Sequence, residues 1–468
     1  MSEVVSVDDV GIAPPAVASP WPIFWVASVA VFLVSLDSTL LFAAFGTLRE
    51  GFPGVSAANL SWVLNAYTVV FAAMLIPAGG LSDRLGRKRV FLVGVSIFLV
   101  ASVACGLSPN VQALIAARVL QAVGAALLTP ASLSLVLDAF PTSQRAMAVS
   151  LWGAVGALAA ATGPGLGSML VDTLGWPWAF YLNLPLGLLS LWKGHALLRE
   201  SPPSPTPRPL DWTGMTLLMV GVATVTLAIV QLESSQWTQG RIAAVASGGM
   251  LALLLFAAWT RWSKTPLVDP ALFAHRTYRY VNLATLVFGI AFAMMFFTFF
   301  FFMTGVWGYD LPRAGLAITP GPLLVIPTAI IVGRLAGRLG HRPFLVSGAI
   351  VYAASGLWFL LVPGVEPNYL RDWLPGLLLS GVAVGMVLPS LSGAAVARLP
   401  VAHYAVGSAF NQATRQIGGV LGVAITVVLL GNGVVQLADF KPLYLLHIGL
   451  AVLTGLLCLP VATRPGDA

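Results

Sequence analysis

The chain has 468 residues, of which 58% are hydrophobic and 9% are charged, and its formal net charge is +7. Soluble domains are about a quarter charged, so this composition excludes an ordinary soluble protein and places most of the chain in lipid. A hydrocarbon core of about 30 Å needs about 20 apolar residues per helical crossing, and such runs recur from Trp21 to Ala462. Many are apolar on every face, unlike barrel strands. The sequence therefore predicts an all-α polytopic membrane protein.

The first group of predicted helices follows an acidic tail at 1–20. Six apolar runs, separated by Gly, Pro or charged clusters, come next, at 21–47, 60–82, 89–107, 110–137, 143–170 and 177–197. Together they predict an N-terminal six-helix bundle over 21–198.

The rest of the chain contains eight more apolar runs. A segment at 199–279 combines a Pro/Ser-rich linker, two additional helices at 212–232 and 242–260, and an amphipathic connector. A second group of six follows, at 280–306, 314–338, 343–362, 373–396, 403–430 and 443–462. These predict a C-terminal six-helix bundle over 280–463, a short tail at 464–468 and fourteen crossings in all.

Basic residues divide unevenly between the two sides of this topology. With the amino terminus placed inside, seventeen of the 24 Lys and Arg residues fall on that side, five fall outside, and Arg118 and Arg415 lie within helices. Cytoplasmic loops are enriched in Lys and Arg, so we expect a multi-pass protein of the cell (inner) membrane with both termini in the cytoplasm. The positive charge then faces anionic lipid headgroups and not nucleic acid.

One loop sequence occurs twice. Gly79-Gly-Leu-Ser-Asp-Arg-Leu-Gly-Arg-Lys88 follows the second predicted helix, and Gly333-Arg-Leu-Ala-Gly-Arg-Leu-Gly-His-Arg342 follows the tenth. The match predicts two six-helix halves related by a parallel repeat, with the seventh and eighth helices inserted between them.

The first copy of this loop carries candidate gating residues, which are Gly79, Asp83, Arg84, Gly86 and Arg87. Glycine allows close helix approach and tight turns, and Asp83 at a helix end can pair with a nearby arginine or helix terminus. We interpret the group as a charge latch across the cytoplasmic seam. A purely topogenic loop would account for the basic residues but not for Asp83 or the glycines.

Five motifs spread along the chain resemble those of one family. They are the loop at 79–88, Leu36-Asp37-Ser-Thr39, Arg118-Val-Leu-Gln121-Ala-Val-Gly124, Gly163-Pro164-Gly-Leu-Gly167 and Asn411-Gln-Ala-Thr-Arg415-Gln-Ile-Gly418. In these motifs the chain is similar, over nearly its whole length, to the fourteen-helix drug:proton antiporter family of the major facilitator superfamily. The resemblance implies two six-helix bundles with two extra helices between them, and export of drugs or antibiotics in exchange for protons.

Asp37 and Arg118 are the candidates for proton coupling. An ionised carboxylate in the middle of a membrane helix costs roughly 2.5 to 3.5 kcal/mol, so function or pairing must justify Asp37. Arg118 lies too deep for a loop residue and could lie opposite Asp37 across a cavity. The alternatives are a structural acid at Asp37 and an Arg118 side chain that snorkels to the outer surface.

The fifth predicted helix is rich in small residues, and Gly156, Gly163, Pro164 and Gly167 are candidates for conformational gating. Glycines let neighbouring backbones approach, and a proline allows a bend, so this helix suits rocking at the interface between the halves. Tight packing alone is the competing interpretation.

Uncharged polar groups and an aromatic stripe predict a mainly apolar substrate cavity. The candidate lining residues are Asn65, Tyr67, Gln121, Phe288, Phe292 and Phe296. For each residue alone, packing is the simpler interpretation. Arg415 lies a few turns inside its helix, so a structural role near the cytoplasmic side is favoured over contact with a substrate.

These observations predict a secondary transporter. No Gly-x-x-x-x-Gly-Lys-[Ser/Thr] run is present for nucleotide binding, and Cys105 and Cys458 have no metal-binding spacing, so we expect no enzyme, no cofactor and no metal site. The leading hypothesis is proton-coupled export of lipophilic drugs, antibiotics or other toxic small molecules by alternating access. The alternative is an importer or symporter of a small metabolite. The expected partners are a small-molecule substrate, protons and membrane lipids, and the expected state is a monomer.

Overall fold

The computed structural model describes residues 19–55, 57–200, 211–233, 237–267, 270–399, 404–430 and 436–464. All regular structure in these segments is helical. The tail before residue 19, the linker at 201–210 and the tail after residue 464 lie outside the described residues.

Within the described residues, the first half contains seven α-helices. Their bounds are α1 Trp21–Gly51, α2 Ala57–Leu85, α3 Arg87–Gly106, α4 Val111–Ala139, α5 Arg145–Leu174, α6 Trp178–Tyr181 and α7 Asn183–Leu197. The sixth predicted helix is therefore divided into α6 and α7.

Nine helices follow. Their bounds are α8 Trp212–Val230, α9 Gln239–Trp262, α10 Arg276–Gly305, α11 Leu311–Ile318, α12 Pro320–Leu339, α13 Arg342–Leu361, α14 Leu374–Val396, α15 Tyr404–Leu430 and α16 Phe440–Cys458. The tenth predicted helix is divided at Thr319 into α11 and α12, because Pro320 cannot continue the hydrogen-bond ladder of the preceding turn.

Twelve spans within the described residues are long and apolar enough to cross a membrane. Each corresponds to one of the fourteen predicted crossings. The two predicted crossings without such a span are those of α7, which has 15 residues, and α15, which has 27.

The two halves repeat one packing scheme. In the first half α1 packs on α5 and α7, α3 packs on α4 and α7, and α2 packs on α4. In the second half α10 packs on α15 and α16, α13 packs on α14 and α16, and α12 packs on α14. Each contact in one half has its counterpart in the other, which is the arrangement expected of a parallel repeat.

Two seams join the halves. α5 packs on α12, and α2 packs on α15, so the seams are themselves related by the repeat. α8 and α9 form a hairpin, and α8 contacts α2 and α15 beside the second seam. α9 is exposed along much of its length, with Met250, Leu251, Leu254 and Leu255 at its surface, as expected of a lipid-facing helix.

The repeated loop forms the same short turn in both halves. Gly86 separates α2 from α3 with φ +98°, and Gly340 separates α12 from α13 with φ +74°. A positive φ is strained for any residue with a side chain, so both turns require glycine. We call the end of the molecule with these turns the turn end, and the opposite end the far end.

Candidate functional site

A cavity of about 250 Å³ lies between the halves. It is lined by α1, α2, α4 and α5 from the first half and by α10, α11, α12, α13, α14 and α15 from the second. Its wall is mainly apolar and includes six aromatic side chains, at Phe71, Trp152, Phe292, Phe296, Phe299 and Tyr352. Such a wall suits a lipophilic solute.

The predicted lining residues have different locations. Phe292 and Phe296 line the cavity. Phe288 is fully buried and packs on Tyr352, with 5.2 Å between ring centroids. Tyr67 and Gln121 are also not part of the wall, because their side chains belong to a buried polar cluster inside the first half. The side chain of Asn65 lies outside the described residues.

Asp37 and Arg118 form the ion pair at the centre of this polar cluster. The distance from Asp37 Oδ2 to Arg118 Nη1 is 2.6 Å, and both residues are 1% exposed. The sequence suggested two residues facing each other across a cavity, and this expectation is corrected. α4 packs directly on α1, so the side chains meet within one bundle.

Neighbouring groups satisfy both charges. Gln121 Nε2 and Asn183 Nδ2 donate to Asp37 Oδ1 at 2.9 and 3.1 Å. Arg118 Nε donates to the Val63 carbonyl at 3.0 Å, and the Tyr67 ring lies 4.1 Å from the guanidinium carbon. Buried ions are tolerated when hydrogen bonds of this kind complete the pair.

Asn183 was expected only as one of several uncharged hydrogen-bonding groups near the cavity, and its pairing with Asp37 was not predicted. It is the first residue of α7, and it reaches Asp37 because α7 packs on α1 and α3. The only sequence signal was a buried-helix amide close to a Trp-Pro turn, which is too general to indicate a contact with Asp37. Tertiary packing alone reveals this partner.

The ion pair lies beside the cavity and not in its wall. Neither Asp37 nor Arg118 lines the cavity, but Ser38 and Thr39, the next residues of α1, do. A change in the state of Asp37 can therefore reach the cavity through the backbone of α1.

Arg415 lies on the cavity wall, with Gln412 and Gln416 on the same face of α15. The sequence placed Arg415 near the cytoplasmic side, whereas the structure places it on the wall of the cavity, beside which α15 runs. Its neighbour in α10 is Gly289, and a Cβ built there would lie 2.8 Å from the Arg415 carbonyl oxygen. The missing side chain lets α10 and α15 approach closely at the level of the cavity.

A cluster of charged residues lies at the turn end of the first half. Arg87 contacts Asp138 at the end of α4, and its Nη2 lies 3.6 Å from Asp83 Oδ1. Both ion pairs join helices of the same half, so in this conformation they are not a latch between the halves. Gly79 is buried, whereas Arg84 is exposed.

The predicted gating glycines of α5 mainly face α1. A Cβ at Gly163 would lie 2.0 Å from Thr39 Oγ1, one at Gly167 would lie 3.2 Å from the Leu40 carbonyl oxygen, and one at Gly156 would lie 2.9 Å from Val31 Cγ2. These glycines hold two helices of one half together. The side chain of Pro164 lies outside the described residues.

Gly153 and Gly165 are the α5 glycines that face the second half. A Cβ at Gly153 would approach Pro389 Cγ at 3.8 Å, and one at Gly165 would approach Leu316 Cδ2 at 3.6 Å. Both are ordinary van der Waals distances. At these two positions α5 packs less closely on the second half than it does on α1 at Gly163 and Gly167.

No group of three or more His, Cys, Asp or Glu side chains suited to a metal ion occurs within the described part of the chain.

Two repeated helical halves with a cavity between them define the class of protein, a multi-pass membrane transporter. The sequence profile of the Major Facilitator Superfamily matches residues 27–423. The chain belongs to this superfamily, and the resemblance noted from its motifs is confirmed.

Similar proteins include multidrug and antibiotic exporters. The multidrug resistance protein Stp of Mycobacterium tuberculosis is 32% identical over 398 residues, which are 84% of this chain and 73% of Stp. The cephamycin export protein CmcT of Amycolatopsis lactamdurans is 30% identical over 456 residues, 94% of this chain and 93% of CmcT. Among solved structures, the human organic anion transporter MFSD10 (TETRAN) has a TM-score of 0.68 at 17% identity and covers 95% of this chain and 100% of its own, a likeness of fold.

Proposed function

We propose that this protein exports lipophilic drugs, antibiotics or other toxic small molecules in exchange for protons. The observation that carries the proposal is the fully buried Asp37–Arg118 pair next to an apolar cavity between the halves. A charged carboxylate inside a membrane helix is energetically costly, so its presence here indicates a function. Carboxylates can bind and release protons, which is the function proposed for Asp37. Relatives named for multidrug resistance and cephamycin export support the substrate class.

In the proposed cycle Asp37 holds the proton. Protonation removes the negative charge that pairs with Arg118 and weakens the contact between α1 and α4. Because Ser38 and Thr39 line the cavity, α1 carries this change to the bound substrate. Each proton that returns to the cytoplasm supplies about 2.3 kcal/mol per 100 mV of membrane potential and about 1.4 kcal/mol per pH unit.

The charge cluster at the turn end has a supporting role in this proposal. Asp83, Arg87 and Asp138 connect the ends of α2, α3 and α4. The first half can then rock as a rigid body against the second, which is how alternating access works in repeated transporters. The close contacts between α1 and α5 at Gly163 and Gly167 also keep the first half rigid.

We further propose fourteen crossings, with both termini in the cytoplasm and a functional monomer. α6 and α7 together span Trp178 to Leu197, which at a rise of 1.5 Å per residue is about 30 Å, enough for one crossing. α15 is the repeat counterpart of α5 and packs along α10, as α5 does along α1. The excess of Lys and Arg on the turn end supports the orientation.

The test compares two kinds of transport in proteoliposomes, using a panel of antibiotics and lipophilic dyes. We expect the wild type to accumulate a panel compound when a pH gradient is imposed, and to lose this activity with a protonophore. Asp37→Asn should lose accumulation but keep substrate counterflow, since exchange of substrate for substrate moves no net proton. A mutant that simply misfolded would lose both.

Glu366→Gln is the matched control, because Glu366 is an exposed acid in a loop of the second half. It should retain both kinds of transport. Accumulation by Asp37→Asn equal to the wild type would remove Asp37 from the coupling. Uptake in right-side-out but not in everted vesicles would identify an importer.

A further inference from the structure

Charge on the cavity wall is confined to one position among the described residues. Among the described residues that line it, Arg415 is the only charged group, and none is Asp or Glu. Asp37 and Arg118 also lie near the cavity, but they form an ion pair with no net charge and are not part of the wall. The cavity is therefore positive at the α15 face.

Within the part of the chain that the structure describes, the charge of Arg415 has no carboxylate partner. No carboxylate in the described part of the chain lies within 4.0 Å of its guanidinium, and its buried Nε makes no hydrogen bond. Arginine keeps its charge in proteins, so this group cannot become neutral by losing a proton. An unpaired buried cation favours the entry of an anion.

Two amides extend this donor face. Gln412 and Gln416 lie three residues before and one residue after Arg415 and line the same cavity. An arginine fork flanked by amide N–H donors can bind both oxygens of a carboxylate or sulfonate. Aromatic side chains at Phe71, Phe292 and Phe296 can cover the rest of such a molecule.

We propose that Arg415 is a substrate-recognition residue, and that the cavity selects lipophilic organic anions over neutral and cationic compounds of the same shape. The inference rests on the proposed export function, because it names the substrate class of that cavity. The anion would bind at Arg415 with its apolar body against α10.

The test is equilibrium binding to the purified protein by calorimetry. The probes are naphthaleneacetate, phenylbutyrate and biphenylcarboxylate, each paired with its primary amide, which has nearly the same shape but no charge. We expect the wild type to bind at least one acid about tenfold more tightly than its amide, the gain typical of a charge-assisted hydrogen bond. Arg415→Gln should remove this preference and leave the affinity for the amide within about twofold.

Arg415→Lys keeps the charge but loses the planar fork, and should retain part of the preference. The wild-type comparison tests the inference even if Arg415→Gln does not fold. Absence of acid preference on all three scaffolds would overturn it, as would a preference that survives in Arg415→Gln.

Binding at equilibrium requires no proton gradient, so this result is independent of the export assay. Export of neutral or cationic compounds only, with no acid preference, would refute anion recognition and leave proton-coupled export standing. Binding of the acids without export would support anion recognition and refute proton-coupled export.

Discussion

At the residue scale, the Asp37–Arg118 pair illustrates how a membrane protein retains buried charge. Removing one partner of a buried pair typically costs about 3 to 5 kcal/mol, since the other charge is left uncompensated. Here Gln121 and Asn183 donate to the carboxylate and Val63 accepts from the guanidinium. Asp37→Asn leaves the charge of Arg118 without its counter-ion and so costs stability. Retained counterflow is therefore needed to show that a loss of accumulation reflects lost coupling and not misfolding.

His341 provides a pH prediction at the same scale. It lies between α12 and α13 at the turn end, is 5% exposed, and its Nδ1 has no hydrogen-bond partner. Burial lowers the pKa of His341 from 6.5 to about 4. The unfolded chain therefore binds a proton that the folded chain excludes, so stability is full above about pH 6.5 and falls as the pH approaches 4.

The expected loss from His341 is about 3 kcal/mol between these pH values. We expect the melting temperature in detergent to fall with acidification in the wild type and to fall less steeply in His341→Gln. His275→Gln is the matched control, because His275 is exposed. Identical pH profiles for the wild type and His341→Gln would contradict the prediction.

At the element scale, glycines set the closest helix contacts. A Cβ at Gly418 of α15 would lie 2.5 Å from the Leu286 carbonyl oxygen and 3.1 Å from the Cα of Gly289 in α10. Backbone atoms of an adjacent helix cannot move aside as a side chain can. This contact is the counterpart, in the second half, of the contact between α1 and α5 in the first.

Gly418→Ala should destabilise the protein, and Gly419→Ala should not. We expect a cost of about 1 to 3 kcal/mol at Gly418, the usual range for overpacking, seen as a lower melting temperature. Gly419 is adjacent on the same helix, but a Cβ there would meet nothing within 4 Å. Equal melting temperatures for the two variants would show that α10 and α15 can separate at no cost.

The repeated loop shows how one element takes different chemistry in the two halves. The sequence positions of Asp83 and Arg87 in the first copy are occupied by Gly337 and His341 in the second. In the first half Arg87 pairs with Asp83 and Asp138. In the second half the imidazole of His341 is buried, and a Cβ at Gly393 would lie 2.6 Å from its Cε1. The turn geometry is shared because Gly86 and Gly340 both have positive φ.

At the scale of the whole molecule, transport by rocking requires the seams to open while each half stays intact. The distribution of contacts meets this requirement, with close glycine contacts inside each half and van der Waals distances at Gly153 and Gly165 across the α5 side of the seam. An inside-negative membrane potential would also favour outward movement of an anion, by about 2.3 kcal/mol per charge at 100 mV.

A reversible cross-link across the far end should stop transport. Gly165→Cys combined with Leu316→Cys places thiols on α5 and α11, where a Cβ built at Gly165 would lie 3.6 Å from Leu316 Cδ2. We expect a short bifunctional methanethiosulfonate, which forms a disulfide with each thiol, to block export and dithiothreitol to restore it. Leu316→Cys alone is the control, and Cys105 and Cys458 are buried. Full activity in the cross-linked protein would mean that this end does not open.

The sequence by itself determined the membrane class, the superfamily, the repeat and the positions of most helices. These follow from apolar run length, the excess of basic residues on one side and local motifs, all of which are read along the chain. It also identified Asp37 and Arg118, since charge in an apolar helix is visible without a structure.

Only the tertiary structure decided which side chains meet. Helix rotation and packing place Tyr67 and Gln121 on the ion pair and not in the cavity, bring Asn183 to Asp37, and turn Gly163 toward α1. They also place Arg415 on the cavity wall. An apolar run shows that a helix crosses the membrane, but when all its faces are similarly apolar it does not show which face is turned toward lipid, toward a neighbour or toward the cavity.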